Sequence, residues 1–361
     1  MFDHRQYVPV LKWRQGGYEA LARMSDVLRS RVTPLLEIPA EAWDYEQERP
    51  QRSIDEHIGL FGHRLIGAWG SLPCFVDSCY LPPDALCADG THHFERLLAL
   101  AAQAGCQALP VTSLARHYQY QAATARVVRR YGRGFCLRLF CEDFDHPELA
   151  TQIGALLAYM GVSAGQVDLL IDFSQHVARS AAAQAGHAYA LLAQTPQLAH
   201  WRSLTITGTS FPALSTAQQV CSGSLFPRYE WLAYKQLLRR LGAGERRPAF
   251  GDYTVAHPHT GVVDPRLNEP CARIEYTVAD GWLVMQGRPA QGNNGAQYRT
   301  LSQRVLASGR FDGACFSWGD DYLHQCAELS ESAGDSSTWA CVSNNHHLTR
   351  VVLELANFHA G

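Results

Sequence analysis

What this 361-residue chain lacks narrows its class before any motif is read. No run approaches the roughly twenty apolar residues that a membrane-spanning helix needs. Met1-Phe2-Asp3-His4-Arg5 leads straight into a strand-like run, without the long apolar stretch that export requires, so a cytoplasmic location is expected. The eleven cysteines are an odd number and include no CxxC, although Cys74/Cys79 and Cys136/Cys141 share a Cys-x4-Cys spacing. Cys74, Cys136, Cys315 and Cys341 lie inside apolar runs. The cysteines are therefore read as reduced, small core hydrophobes and not as a disulfide or zinc framework. There is no HExxH, no P-loop and no Ser/His/Asp set with readable spacing. After the first strand stands Trp13-Arg14-Gln15-Gly16-Gly17 in place of GxGxxG, which argues against an open dinucleotide-binding sheet. No Pro/Ser-rich linker divides the chain, so residues 1–361 are expected to form one domain.

Charge is also in short supply. Charged residues make up 18% and hydrophobic residues 47%, with a net charge of −3, the balance of an ordinary globular protein. Neither a broad nucleic-acid surface nor membrane attachment is expected. The pairs Arg129-Arg130, Arg239-Arg240 and Arg246-Arg247 read as solvated helix ends.

What is present is an alternation of short apolar runs and longer helical patterns. The runs are Tyr7–Lys12, Thr33–Ile38, Leu72–Asp77, Ala108–Thr112, Gly134–Phe140, Val167–Phe173, Ser203–Thr207 and Pro248–Tyr253. Helical patterns separate them: from Gly17, then Ser53–Trp69, His93–Ala104, Tyr118–Tyr131, Pro147–Met160, Ala181–Leu192 and Tyr229–Leu241. Unalternating apolar runs are strands buried on both faces, and a helix between each pair implies parallel neighbours. Eight such units predict an α/β fold of the closed (β/α)8, TIM-barrel type. Residues 254–295 break the pattern with a hairpin signal, Asp280-Gly281 between Ala272–Val278 and Trp282–Met285. The eighth helix is then expected over Gln297–Ala307. Residues 309–361 should form an extension packed on the barrel, with strand-like runs at Ala314–Trp318 and Thr338–Val342. A closing helix over His347–Phe358 would be capped by Asn344 or Asn345.

The C-terminal ends of barrel strands face the site of a TIM barrel. Here they carry Lys12, Glu37, Asp77, Thr112, Arg138, Asp172, Thr207 and Asp252. Charges at the ends of buried strands must be solvated or paired. One reading is a polar pocket. Glu37, Asp77, Asp172 and Asp252 would be candidate catalytic acids and bases, and Lys12 and Arg138 would grip a phosphate or carboxylate. The same oxygens could hold Mg²⁺ or Mn²⁺, but a site without metal is favoured. The other reading is a salt-bridge ring that binds nothing. Arg228 could reach the pocket from the seventh helix, while Glu230 suits that helix's first turn. The Asn344-Asn345-His346-His347 cluster is either a cap with exposed imidazoles or a pocket wall, and with the insertion it would form a lid. His257 with His259 reads as loop, Asp143 with Asp145 as a solvated turn, and His92-His93 as a helix start. Trp318 to Tyr322, with Asp320 and Asp321, suits either a sugar or base ligand or a loop tip. The GxSxG string at Gly161–Gly165 falls between a helix and the next strand, the reverse of a nucleophile elbow.

Tyr7-Val-Pro-Val-Leu-Lys-Trp-Arg-Gln-Gly-Gly-Tyr18 and Pro34-Leu-Leu-Glu-Ile-Pro39 resemble the opening of the beta protein family, named for a T-even phage protein. The resemblance continues at Arg228–Trp231, Phe250–Tyr253 and Asn345–His347. It implies a setting of phage–bacterium conflict or a mobile element more than a reaction. It also directs attention to Lys12, Glu37, Arg228, Glu230, Asp252, Tyr253, Asn345 and His346. Two functions follow as expectations. One is an enzyme, a hydrolase or lyase acting on an anionic phosphorylated or sugar-containing small molecule. The other is a binding module that recognises a phage or host protein partner encoded nearby.

Overall fold

The computed structural model describes residues 2–213, 223–258, 271–289 and 295–360. Eight parallel strands close into a barrel: β1 (Tyr7–Lys12), β2 (Leu35–Glu37), β3 (Pro73–Asp77), β4 (Gln107–Thr112), β5 (Phe135–Phe140), β6 (Val167–Asp172), β7 (Ser203–Thr207) and β8 (Ala249–Asp252). Each pairs with its sequence neighbour, and β1 pairs with both β2 and β8. The (β/α)8 expectation holds. Side chains alternate between the lumen and the helix layer. Val8, Val10, Leu35, Phe75, Leu109, Val111, Cys136, Leu170 and Ala249 fill the lumen as one apolar plug. The outward set, including Leu11, Leu36, Val76, Leu137, Leu169 and Phe250, packs under the helices.

Seven outer helices follow their strands as the periodicity predicts: α1 (Gln15–Ala22), α2 (Phe61–Trp69), α3 (His93–Gln103), α4 (Tyr118–Tyr131), α5 (Leu149–Met160), α6 (Ala181–Gln194) and α7 (Tyr229–Arg240). Their ends are chemically marked. His92 and His117 accept first-turn amides, Ser180 caps α6, and Gly132 and Gly161 close α4 and α5 in the left-handed conformation. The Ser53–Trp69 pattern is two helices, Ile54–Ile58 behind a Ser53/Glu56 capping box and then α2.

The eighth outer helix is not where it was expected. The helix over Gly295–Ala307 (α8) packs its Tyr298, Leu301 and Val305 on a small sheet. That sheet consists of β9 (Cys271–Val278), β10 (Gly281–Pro289) and an edge strand, Ser224–Pro227, which the sequence reading missed. After α9 (Trp318–Ala327), the long helix α10 (Ser336–Ala360) lies against α1 and β1, and its Phe358 meets Trp231 and Tyr234 of α7. α10 is thus the helix that completes the outer ring. It joins two cores: Cys341, Leu348, Val351, Val352 and Leu355 pack on the barrel, Trp339 and Val342 on the small sheet. A helix buried on several sides carries apolar residues all round, which is why Thr338–Val342 resembled a strand. The other strand-like run, Ala314–Trp318, leads into α9, which Ser317 caps.

Asn344 and Asn345 therefore lie inside α10 and cap nothing. Asn344 donates to Ala340 O, while Asn345 accepts the Gly319 amide at 3.0 Å and donates to Ala20 O at 3.1 Å, fastening α10 to α9 and α1. A Cβ at Gly319 would stand 2.4 Å from Val342 O, so only glycine permits the α9–α10 crossing. Gly319→Val should lower stability by about 2 kcal/mol or more through overpacking. Chemical denaturation checks this, and an unchanged midpoint would refute the tight crossing.

Candidate functional site

Above the apolar plug, in the same inward parity, stand Lys12, Glu37, Asp77, Arg138 and Asp172. Register places Lys12 beside Glu37 and Glu37 beside Asp77. Arg138, from β5, reaches across the lumen to β2 and β3. Its Nη1 donates to Glu37 Oε1 and Asp77 Oδ2, both at 2.9 Å. Its Nε donates to Asp172 Oδ2 at 2.8 Å, and its Nη2 to the Tyr253 hydroxyl at 2.7 Å. Tyr253 in turn donates to Asp172 Oδ2 at 2.6 Å. Arg116 donates to both Asp77 oxygens at 2.8 Å, and Lys12 to Glu37 at 2.7 Å, with the Tyr80 hydroxyl against the same ammonium.

Burial alone would raise Glu37, but Arg138 and Lys12 hold its carboxyl below the usual range. Burial and the surrounding carboxylates raise Tyr80 and Tyr253, which keep their protons. Three acids thus converge on a guanidinium. Among the described residues no group of three or more His, Cys, Asp or Glu side chains is arranged to hold a metal ion. Arg138 was expected to grip a ligand, but its donors are spent on the protein. It forms a floor.

Over that floor opens a cavity of about 540 Å³, bordered by Lys12, Arg14, Tyr80, Arg116, Phe140 and Tyr253. Counted with the floor, the cations Lys12, Arg14, Arg116 and Arg138 outnumber the carboxylates Glu37, Asp77 and Asp172 by one. The surplus is Arg14, exposed at the N-cap of α1 and without an ion-pair partner among the described residues. A larger cavity, about 790 Å³, lies at the opposite end of the barrel near Phe75 and Arg202. Barrels carry their sites at the C-terminal face, and the one lumenal carboxylate at that far end, Asp168, is already matched by Arg202 and Ser203.

Asp252 was expected at the mouth and is not there. It has the outward parity of Phe250, and Gly251 and Tyr253 face the lumen instead. It accepts from Tyr7 Oη at 2.5 Å and the Thr254 amide at 3.0 Å, and lies 3.0 Å from Nε2 of His347 on α10. Burial lowers His347 and would raise Asp252, yet His347, Arg228 and Tyr7 hold Asp252 low. A carboxylate only accepts, so His347 donates from Nε2, and its Nδ1 accepts a hydrogen bond from the Thr277 hydroxyl at 2.8 Å. His346 also misses the mouth. Its nitrogens face Asp320 at 2.8 Å and Thr277 O at 2.7 Å, and its ring stacks on Tyr276. Asp320 is thereby consumed in holding α9 to the sheet, not offered to a sugar or base. Arg228 is buried against Glu354 at 2.8 Å, beside Trp231. The insertion and α10 stand at the side of the barrel, where Trp282 and Val284 pack against Phe211 and Val255 of the loops after β7 and β8. The described part of α10 and the small sheet thus brace the barrel laterally and do not cover the mouth, whereas Pro258, at the start of the insertion, borders the mouth cavity and accepts from the Tyr80 hydroxyl at 3.3 Å; residues 259–270, the rest of the expected lid, lie outside the described residues. His259 lies outside the described residues.

The profile of the family described as "Beta protein" matches residues 7–353, nearly the whole chain. The chain belongs to the beta protein family. A comparison with curated proteins finds no match. Among solved structures, a mutant tryptophan synthase α-subunit from Pyrococcus furiosus aligns with TM-score 0.40 and 12% identity, over 71% of this chain and 90% of that one. A putative lyase/mutase from Burkholderia cenocepacia J2315 aligns with TM-score 0.34 and 15% identity, over 69% and 76%. An alanine racemase from Clostridium difficile 630, in complex with cycloserine, gives 0.34 and 11%, over 79% and 66%.

In this beta protein the strand ends supply Lys12, Glu37, Asp77, Arg138 and Asp172 to one layer, joined by Tyr253. Arg14, Tyr80 and Arg116 were missed, because each lies two to four residues past a strand end, in a loop or helix start. Extending the strand-end reading into the following loop would have found them. Of the ten cysteines described, all are free and Cys74, Cys136 and Cys341 are buried, but Cys315 is exposed. No helix among the described residues is long and apolar enough to cross a membrane.

Arg138→Met leaves Asp172 with no cation among the described residues and takes one of two from Glu37 and from Asp77, and should cost roughly 3–5 kcal/mol at pH 7. In the wild type, Glu37's depressed pKa contributes stability that is lost as pH falls through the folded value. In the variant only Lys12 still lowers Glu37, so that contribution shrinks and the deficit should narrow on acidification. Urea unfolding at pH 7 and pH 4.5 measures both, and an equal deficit at the two would refute the assignment. Glu230 behaves oppositely. Burial raises it to about 7 despite hydrogen bonds from Ser210. Its stabilising contribution is complete below the unfolded value of 4.5 and lost as pH rises through 7. Glu230→Gln should flatten the stability decline between those limits, and thermal melts across that range show whether it does.

Proposed function

We propose that the mouth of this barrel binds a small anionic molecule, a phosphorylated one in particular. The observation that carries the proposal is Arg14, without an ion-pair partner among the described residues, at the rim of a cavity whose carboxylates are all engaged beneath it. Lys12 and Arg116 each spend donors on Glu37 or Asp77 but keep some exposure, with side chains 18% and 17% accessible. An ammonium has three donors and a guanidinium five, so both retain capacity for an oxyanion. α1 begins at Gln15 with no side-chain cap on its first amides, which adds positive potential beside Arg14.

Hydrolysis of the ligand would have to use Glu37, Asp77 or Asp172 as a base, and each already accepts from at least one cation. The mouth is better suited to holding an anion than to moving a proton, so binding is the primary function proposed and catalysis is secondary. Mg²⁺ or Mn²⁺ would arrive on the ligand's phosphates, as such ions commonly do. A protein partner has less support: the exposed large apolar residues, such as Val27, Tyr118, Leu225 and Leu329, are on separate elements. A role in phage–bacterium conflict, sensing or sequestering a small anion, is consistent with the family setting.

Calorimetric titration with inorganic phosphate and with ribose 5-phosphate tests this. Binding should weaken about tenfold in Arg14→Ala, the loss expected for one charge-assisted contact. It should weaken further in Arg14→Ala/Lys12→Met and decline with added salt. No binding at millimolar concentration, or binding indifferent to Arg14→Ala, would sink the proposal.

A further inference from the structure

A second cavity, of about 690 Å³, adjoins the first and shares Arg14, Pro39 and Ala40 with it. Its character differs. Trp13, Trp43, Tyr45 and Phe61 line it, together with Arg52 and Arg64. Trp43 stands on a two-residue ladder, Trp43–Asp44 against Arg49–Pro50, in the loop after β2, and is 41% exposed. A large aromatic held out on a short hairpin at a cavity edge gains little for the core; its ring face is left available. Trp13 is buried, and its indole Nε1–H has no acceptor among the described residues. A buried N–H without a partner is a cost that an acceptor on a ligand would remove.

We infer that this lobe is the subsite for a flat aromatic group attached to the anion, so that the ligand of the mouth is a nucleotide. The phosphate sits over Lys12, Arg14 and Arg116; Arg14 spans the junction; the base enters the second lobe, where Trp43 offers a stacking face and Trp13 a donor. Aromatic and guanidinium planes side by side are what bases stack on, and the contact tolerates any base because each has a π face. This rests on the anion-binding reading of the mouth and specifies its ligand.

The test compares ligands that share a phosphate and differ in the base. The full chain is titrated calorimetrically with inorganic phosphate, ribose 5-phosphate and the four ribonucleoside 5′-monophosphates. At least one nucleotide should bind roughly tenfold more tightly than ribose 5-phosphate, the worth of one stacked base. Trp43→Ala, a change at an exposed hairpin, should bring that nucleotide to the affinity of ribose 5-phosphate and leave ribose 5-phosphate itself unchanged. Trp43→Phe should restore most of the difference. If every nucleotide binds no better than ribose 5-phosphate, or if Trp43→Ala weakens both equally, the base subsite is refuted while the anion site stands. If phosphate and ribose 5-phosphate fail to bind, the mouth reading falls and takes this one with it.

Discussion

The Arg138 guanidinium is the constraint on which the mouth depends. It is buried, it comes from β5, and it ties carboxylates on β2, β3 and β6 and the tyrosine after β8. A buried charge set of this kind adds little net stability compared with an apolar core, because each ion gives up its hydration. What it does impose is position. Every donor has one acceptor direction, so the strand ends cannot slide past one another without stranding a charge. The apolar plug below it is tolerant of shape; the guanidinium layer is not. The cavity therefore has a rigid floor in which one guanidinium ties three carboxylates, and the rim cations Lys12, Arg14 and Arg116 more than offset that charge and decide what enters.

A second polar set does for the outside what Arg138 does for the inside. Asp252, Tyr7 and His347 meet between β8, β1 and α10, at the seam where the barrel closes. His346, Asp320 and Tyr276 meet one residue earlier along α10, where the small sheet attaches. Adjacent histidines on one helix point to different neighbours, so α10 is fixed to the barrel and to the sheet at the same height. These residues looked like site chemistry in the sequence because buried polar networks and active sites draw on the same side chains.

The barrel was legible because its signal is repeated: eight apolar runs with a helix after seven of them leave few alternatives. The inward layer was legible for the same reason, through Lys12, Glu37, Asp77, Arg138 and Asp172. Four things were not. Parity at the last strand was hidden, since Ala249-Phe-Gly-Asp252 is short and Gly251 carries no side chain to mark the lumen. The identity of the eighth helix was hidden too, because the pattern of Gln297–Ala307 fits a sheet-covering helix equally well. The pairing state of each charge was hidden because it depends on strands that meet across the lumen. Loop residues such as Arg116 and Tyr80 enter the mouth through backbone paths that periodicity does not encode.

The late return of α10 has an entropic consequence. The bond between Tyr7 and His347 joins residues 340 apart, so the seam between β1 and β8 is sealed by one of the longest-range contacts in the chain. Loop-closure entropy must be met before that contact forms. Until α10 docks, Tyr7, Phe250 and Trp231 present an aromatic strip on an otherwise assembled half-ring. The closure cost of this barrel is therefore concentrated at its seam, and covering these aromatic rings depends on a helix that the chain supplies last.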